Sequence, residues 1–515
     1  MHKSKTKASK KNVFTRAKIN PNKIPVESKE AGREKISRFA VIGIIGVILM
    51  YVGVAGVVSV TSPWWLGKGD APRHIDYAWR VYNKQLPKFE DGLQQKNLQE
   101  LRKNLYRNQP AASNPPFFYA LHAPVIGPSL KMGQWQKATA IGRAVNVFIG
   151  VLCVLALAWA GWLYGSRGRK NMFVVAVPAI GVMMHYFTTL NLNYAVDVLL
   201  VLIGTLSLVA VHKIINKGIK TKYIFWITLL SIAGMATKIT YIVFLIVALM
   251  ALVFVPILHN TWKNKPKLFK NISKSFVLCI VILASVALTI GWFYYYHNYK
   301  VTGNFITAIP PTFQNTRPSR STYDVLTSTK LWALLYNGYT AINTLSVALI
   351  GFASAGIIMI FNRLKFSAQI KNKKHMALIF LLWATFTGMF LIQVIFAAGS
   401  GNYFFRYLIP ALLPMALFIS YGLLEPKWTK GQVVVFFSFM MGISTIYKSS
   451  RFDLPEYLLP SWTEIYESFK TLPKMVSANG ISTGVYISLL CSFMLGGLVL
   501  SWSMYNLSRM NEKTK

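Results

Sequence analysis

Carboxylates are scarce in this sequence: 16 Asp and Glu stand against 56 Lys and Arg in 515 residues. Charged residues of both signs reach only 14%, while hydrophobic residues reach 54%; a soluble chain carries about a quarter charged residues. A soluble protein of this length, divided into roughly two to four domains, is therefore excluded. Cysteine is rare as well. Cys153, Cys279 and Cys491 each lie inside an apolar run, without metal-type spacing or an obvious partner. They read as packed thiols and do not report the redox compartment. A cleavable signal is also missing. Residues 1–38 are long, polar and Lys-rich (KSKTKASKK) and read as a disordered cytoplasmic tail. No soluble globular domain and no internal repeat is visible.

Long apolar runs take the place of all these. A bilayer core about 30 Å thick needs roughly 20 apolar residues per helix. Apolar spans are expected at 39–60, 139–164, 172–188, 193–212, 223–237, 239–258, 275–296, 343–361, 376–398, 407–424, 431–447 and 483–505. The fold class is thus an all-α polytopic membrane protein of about twelve transmembrane helices. The stretches 172–188 and 223–237 are short enough to be tilted or partly re-entrant. The chain divides into the tail 1–38, a transmembrane module 39–424, and C-terminal helices with an outer loop, 425–515.

The net charge of +40 raises nucleic acid as a partner, but the location of the cations argues against it. Many Lys and Arg sit in short segments between apolar runs, at 165–171, 213–222, 259–274, 362–375 and 425–431, as the positive-inside rule produces. Both termini then fall on the cytoplasmic side. The other connections include three longer outer loops, near 61–138, 297–342 and 448–482. Loops carried on a rigid scaffold commonly hold function, which makes this outer face the place to look for a site.

With so few acids, each can be placed. Five fall inside (Glu27, Glu30, Glu34, Glu425, Glu512) and five in the first outer loop (Asp70, Asp76, Glu90, Asp91, Glu100). Asp324 lies in the second long loop, and Asp453, Glu456, Glu464 and Glu467 lie in the last. Asp197 alone opens an apolar helix, in LNLNYAVDVLLVLIG. A carboxylate at that depth costs a few kcal/mol unless it faces a cavity or a partner. It is either a catalytic or binding carboxylate or a capped helix end. Asp70, His74 and Asp76 cluster after two interfacial Trp, with His74 four positions from Asp70 on one helix face. Such a group suits a cation, a base or a sugar; the plainer reading is a solvated loop.

The segment NPPFFYALHAPVIGP (114–128) is too short to span and reads as an interfacial helix or a packed loop. Lys238, at an outer turn, and Arg406, opening a late span, suit a lipid phosphate or simply anchor the interface. Arg143 lies about one turn inside the second span and needs a partner.

Taken in order, these residues resemble the GT-C superfamily of polyprenyl-phosphate-sugar glycosyltransferases. The likeness is to the protein O-mannosyltransferase and aminoarabinose transferase branch, and to bacterial membrane proteins with a PDExxH first loop. Gly69-Asp70-Ala71-Pro72-Arg73-His74 is similar to that first-loop motif, with Ala71 where the family has Glu. Pro115, Pro116 and Tyr119 resemble its PP-Tyr motif, and Arg143 the Arg early in its second helix. Tyr194-Ala195-Val196-Asp197 resembles its second carboxylate motif, Gly234 to Lys238 its Gly-x-x-x-Thr-Lys turn, and Arg406, Tyr407 and Pro410 its Arg-Tyr-x-x-Pro motif. The likeness covers roughly 40–425. The family's C-terminal soluble domain has no counterpart in this sequence.

The resemblance implies transfer of a sugar from a polyprenyl phosphate to an acceptor hydroxyl on the outer membrane face, with inversion. It implies Asp70 as the base, supported by His74, with Asp197 placing the acceptor or a cation. It assigns Lys238 and Arg406 to the lipid phosphate, with Arg143, Asp76 and Tyr194 as further substrate-binding residues. Implied partners are the lipid-linked sugar donor, membrane lipid, and a glycan, lipid or protein acceptor. A divalent metal ion serves some relatives and not others. A bacterial cell membrane is the implied location. The competing readings are a transporter or lipid flippase, a non-catalytic member of the same fold, and a polysaccharide polymerase or ligase of the outer face.

Overall fold

The computed structural model describes residues 35–62, 71–94, 108–166, 168–192, 194–259, 265–303, 305, 319–337, 339–340, 343–365, 370–399, 401, 403–426, 430–449, 473–477 and 479–513. The chain divides into Met1–Ile36 and Ser37–Lys515, and every element below belongs to the second unit. These elements are helices throughout: α1 (Arg38–Thr61), α2 (Ala71–Tyr82), α3 (Phe117–Lys131), α4 (Trp135–Tyr164), α5 (Lys170–Met183), α6 (His185–Leu192), α7 (Asp197–Lys217), α8 (Thr221–Met235), α9 (Ile242–His259), α10 (Lys265–Trp292), α11 (Thr322–Thr327), α12 (Thr329–Asn337), α13 (Asn343–Lys365), α14 (Ile370–Ala398), α15 (Leu412–Leu424), α16 (Gln432–Ser449) and α17 (Thr483–Lys513).

Among the described residues, eight helices are long and apolar enough to cross a bilayer. A backbone in lipid must satisfy its own polar groups, which is why these runs are helical. The protein is an integral membrane protein. The remaining expected spans are helical too, but differ in form. α5 and α6 make one apolar pair bent by 65°, where the Met184 N–H bonds the Gly181 carbonyl and the His185 N–H is taken by Tyr339 O. Thr221–Met235, Ile409–Leu424 and Gln432–Lys448 are apolar but shorter.

Hydrogen bonds sort the helix ends into two groups. At one end, Ser37 N donates to Asn171 Oδ1 (2.8 Å), His259 Nε2 contacts Ile215 O (2.8 Å) and Tyr421 Oη donates to Tyr164 O (2.6 Å). Around this end lie the basic connections. At the other, Asn479 Nδ2 donates to Val60 O (2.9 Å), and His297 Nε2, in the π-helical turn Phe293–Tyr299 that extends α10, contacts Ala112 O (3.1 Å). This second end carries α2, α3, α11 and α12, and we call it the loop-rich face. There Val325 and Leu331 of the two short helices pack on Val394 and Ala397 of α14.

α17 returns along α1. Gly46 and Gly53 of α1 meet the backbone of Leu500 and Phe493, and Gly496 of α17 meets Met50, so no side chain fits between the two helices. Ser503 Oγ and Ser492 Oγ donate across the seam to Phe39 O (2.7 Å) and Leu49 O (2.9 Å). Small residues and hydroxyl bonds hold helices together in lipid, where burial of apolar surface supplies no driving force. α7 is the most buried of these eight long helices, 78% over its apolar window against 22% for α13. Its first residue, Asp197, is itself buried.

Candidate functional site

The site begins where α1 ends. The last carbonyls of a helix lack intrahelical partners, and α1 finishes inside the protein. Arg143, 4% exposed in α4, donates Nη1 to Ser59 O (2.8 Å) and Ser62 O (2.9 Å). The partner its burial demanded is thus the carbonyl end of α1, where a cation also suits the helix dipole. Arg143 thereby ties α4 to the end of α1. Asp70 lies outside the described residues; α2 starts immediately after it.

α2 and α3 pack through aromatic rings. Tyr77 and Tyr119 stack at 3.7 Å between centroids and 16° between planes. His74 Nδ1 lies 2.7 Å from Tyr119 Oη, and Tyr77 Oη donates to Asn114 O (2.9 Å). His74 is thereby buried and oriented beside the start of α2. Asp76 has a different task. Its carboxylate takes Arg80 Nε (3.0 Å), the Gln94 N–H (2.8 Å) and Gln109 Nε2 (3.1 Å), while Arg80 also reaches Asp91 Oδ2 (2.7 Å) and Gly92 O (3.0 Å). Burial pushes the Asp76 carboxyl up, and Arg80 and the amide donors pull against it. Its described bonds hold loop to helix, and in this arrangement it acts as a latch within the first loop.

α3 joins this loop to the rest of the face. Pro116 precedes its first turn, where a fixed φ starts a helix readily, and the Phe117 N–H is given to Ala236 O (3.2 Å) in the turn after α8. Phe118 and His122 of α3 pack edge-on against Tyr194, at 5.4 and 4.7 Å. Tyr194 is fully buried and holds φ at +51°, a left-handed conformation that non-glycine residues seldom adopt. Its ring lies against Gly142, where a Cβ would collide with it. Burial pushes the His122 imidazole down to about 4, so it is neutral near pH 7.

Three distant parts of the chain then converge, through Asp197, Lys238 and the neighbours Arg406 and Tyr407. Lys238 Nζ lies 2.6 Å from Asp197 Oδ1, with the side chains 12% and 4% exposed. The same ammonium lies 5.1 Å from the centroid of the Tyr407 ring, and the Arg406 guanidinium lies 5.5 Å from that centroid. The two cations are therefore no farther apart than the sum of those distances. Each approach is within cation–π range. Local structure explains the placement. Gly234 gives its carbonyl to the N–H groups of both Thr237 and Lys238 (3.0 Å each), and has no side chain because the Tyr241 ring occupies that space. Tyr241 Oη is 2.6 Å from Ser207 Oγ of α7, and Tyr294 Oη donates to Met235 O (2.6 Å). Pro410 opens the 3-10 turn Ile409–Ala411 just after Tyr407.

No family model and no curated protein matches this chain. Solved structures with a similar chain path include ArnT from Cupriavidus metallidurans bound to undecaprenyl phosphate, 12% identical, covering 90% of this chain and 77% of that one at a TM-score of 0.42. They also include the Archaeoglobus fulgidus oligosaccharyltransferase in its apo form, 10% identical, covering 89% of this chain and 56% of that one at 0.43. Overlaps of this size leave the chemistry to the residues of this chain.

Among the described residues, no group of three or more His, Cys, Asp or Glu is placed to hold a metal ion. Asp76 faces Arg80 and Asp197 faces Lys238, so these carboxylates do not form a metal cradle as they stand. Tyr119 and Tyr407 are the residues whose place in the site is plain only here. Both occurred in motifs, Tyr407 beside Arg406, but nothing local marks a ring as the platform for two cations.

Proposed function

We propose that this protein is a GT-C-type glycosyltransferase that moves a sugar from a polyprenyl-phosphate donor to an acceptor hydroxyl on the outer face of the membrane. The meeting of Lys238 and Arg406 at the Tyr407 ring, with Asp197 holding Lys238, carries the proposal. Two cations and one carboxylate are gathered beside an aromatic ring. That arrangement suits a lipid phosphate whose negative charge grows as the sugar departs.

In the reaction, an acceptor oxygen attacks the anomeric carbon from the face opposite the phosphate. The bond from C1 to the phosphate oxygen breaks, and the configuration inverts. The electron pair leaves with the polyprenyl phosphate, which Lys238 and Arg406 receive. The acceptor proton passes to the Asp70 carboxylate. His74, fixed by Tyr119, stands four residues after Asp70 in the sequence and is assigned to support it. Asp197 keeps Lys238 oriented. No step is routed through a metal ion. The positive-inside pattern supports cytoplasmic termini with the loop-rich face outside, and the resemblance implies a bacterial cell membrane.

The test is a transfer assay on protein reconstituted in lipid, with radiolabelled polyprenyl-phosphate sugars and a membrane extract as acceptor. Asp70→Asn is expected to lower turnover by at least about a hundredfold, and Asp197→Asn and Lys238→Gln to weaken donor binding. Turnover unchanged in all three variants would overturn the residue assignment. Wild type inert with every donor would favour a non-catalytic membrane protein.

A further inference from the structure

At the end of the spans opposite the loop-rich face, cations gather with no acid to meet them. Lys213 and Lys217 stand one turn apart at the end of α7, and Lys222 lies in the first turn of α8. Residues four apart share a helix face, and Lys217 and Lys222 both lie close enough to Lys213 to repel its ammonium. No described carboxylate pairs with any of the three. The cause is in the residue order. Between Glu100 and Asp324 the chain holds one acid, Asp197. It opens α7 at the far end, roughly 24–30 Å from these lysines along the helix axis.

The three lysines are not needed to close α7. The last carbonyls of a helix lack intrahelical partners, and here other groups supply them. The Gly218 N–H returns to Ile214 O (2.9 Å), His259 Nε2 contacts Ile215 O (2.8 Å) and Lys374 Nζ contacts Asn216 O (3.4 Å). Lys217 and Lys222 are exposed and Lys213 is half-buried. The Lys213 ammonium lies 5.9 Å from the centroid of the Trp159 ring of α4, within cation–π range. Trp159 and Leu155, one turn apart on α4, are both exposed, as on a span that faces lipid. Trp is a residue of the membrane interface. An apolar stripe, an interfacial ring and then three unbalanced ammonium groups follow one another, and a lipid chain ending in an anionic headgroup has the same order of chemistry.

We propose that Lys213, Lys217 and Lys222 form a binding site for a phospholipid of net negative charge, with its headgroup among the three ammonium groups and a chain along Trp159 and Leu155. The site is independent of the transfer reaction.

The full chain, reconstituted in phosphatidylcholine vesicles, would be photolabelled with chain-diazirine analogues of phosphatidylglycerol or phosphatidylcholine, and labelled residues mapped by mass spectrometry. Phe148, exposed farther along α4, normalises for bulk lipid. Label at 155–159 is expected to be at least about fivefold higher with phosphatidylglycerol than with phosphatidylcholine, as even one cation near an anionic headgroup provides. Replacing the three lysines together by Gln should abolish the enrichment, and replacing them by Arg should keep it. In wild type, which needs no variant to fold, raising the salt concentration should reduce it. Equal labelling by the two lipids, enrichment that survives the Gln substitutions, or enrichment indifferent to salt would overturn the proposal. Loss of the enrichment to millimolar inorganic phosphate at constant ionic strength would also overturn it, by showing a site for a soluble anion.

Discussion

The Lys238 ammonium stands 2.6 Å from the Asp197 carboxylate across 41 residues of sequence, joining the first residue of α7 to the turn after α8. Neither charge would persist alone at this depth without a large desolvation cost. The pair leaves one ammonium face toward Tyr407 and Arg406. Several consequences of this arrangement and its surroundings are open to measurement.

A double-mutant cycle with Asp197→Asn and Lys238→Gln should give a coupling energy of about 1–3 kcal/mol in unfolding experiments in detergent, the range of contacting charged pairs. Coupling under about 0.5 kcal/mol would mean that the pair adds nothing to the fold.

Tyr407→Phe keeps the ring that both cations approach, and should leave affinity for undecaprenyl phosphate unaltered. Tyr407→Leu removes it and should weaken binding by about threefold to tenfold, the value of an exposed to partly buried cation–π contact. Isothermal titration in detergent reads the difference. Equal affinity in the Leu variant would remove Tyr407 from the site.

Arg143→Met deletes two bonds to the end of α1 at similar volume, and should cost about 2–3 kcal/mol in stability. Arg143→Lys retains the charge without the planar fork and should recover part of it. Denaturant unfolding in detergent distinguishes the variants; a Met variant as stable as wild type would show that α1 needs no cap.

The Tyr194 hydroxyl is buried without a hydrogen-bond partner. Tyr194→Phe should therefore leave stability unchanged or raise it slightly, as read from the thermal midpoint. Gly142→Val should lower that midpoint, because its side chain enters the space of the Tyr194 ring. A large loss in the Phe variant would reveal a bonded hydroxyl.

His122 adds a pH dependence. Its folded pKa is lowered to about 4, below the unfolded value of about 6.5. The unfolded chain binds the proton first, so this contribution is intact above pH about 6.5 and is lost as pH falls toward 4. Wild type should lose more stability than His122→Phe over that window, and parallel midpoint curves for the two proteins would contradict it.

Much of the architecture was legible in the residues themselves. Every expected apolar stretch is largely helical among the described residues, and the short stretch at 172–188, expected to be tilted or partly re-entrant, is a helix pair bent by 65°. Hydrophobic length is a local sum, which lipid converts directly into helix. Arg143 was legible as a buried cation in need of a partner, and its described partners include the carbonyls of Ser59 and Ser62. Asp76 was read as a substrate residue, but the four-residue spacing to Arg80 already held the alternative of an internal ion pair.

Sequence by itself determined that this chain lives in a membrane, the order of its helices, and the separation of basic connections from long loops. Those follow from hydropathy and charge counted along the chain. Only the tertiary structure decided that Lys238 and Arg406 meet at one ring with Asp197 holding Lys238, that Arg143 bonds the end of α1, and that α17 lies against α1. Lateral order among membrane helices depends on close packing of small residues and on hydrogen bonds between distant segments, and no local run of residues records which segments those are.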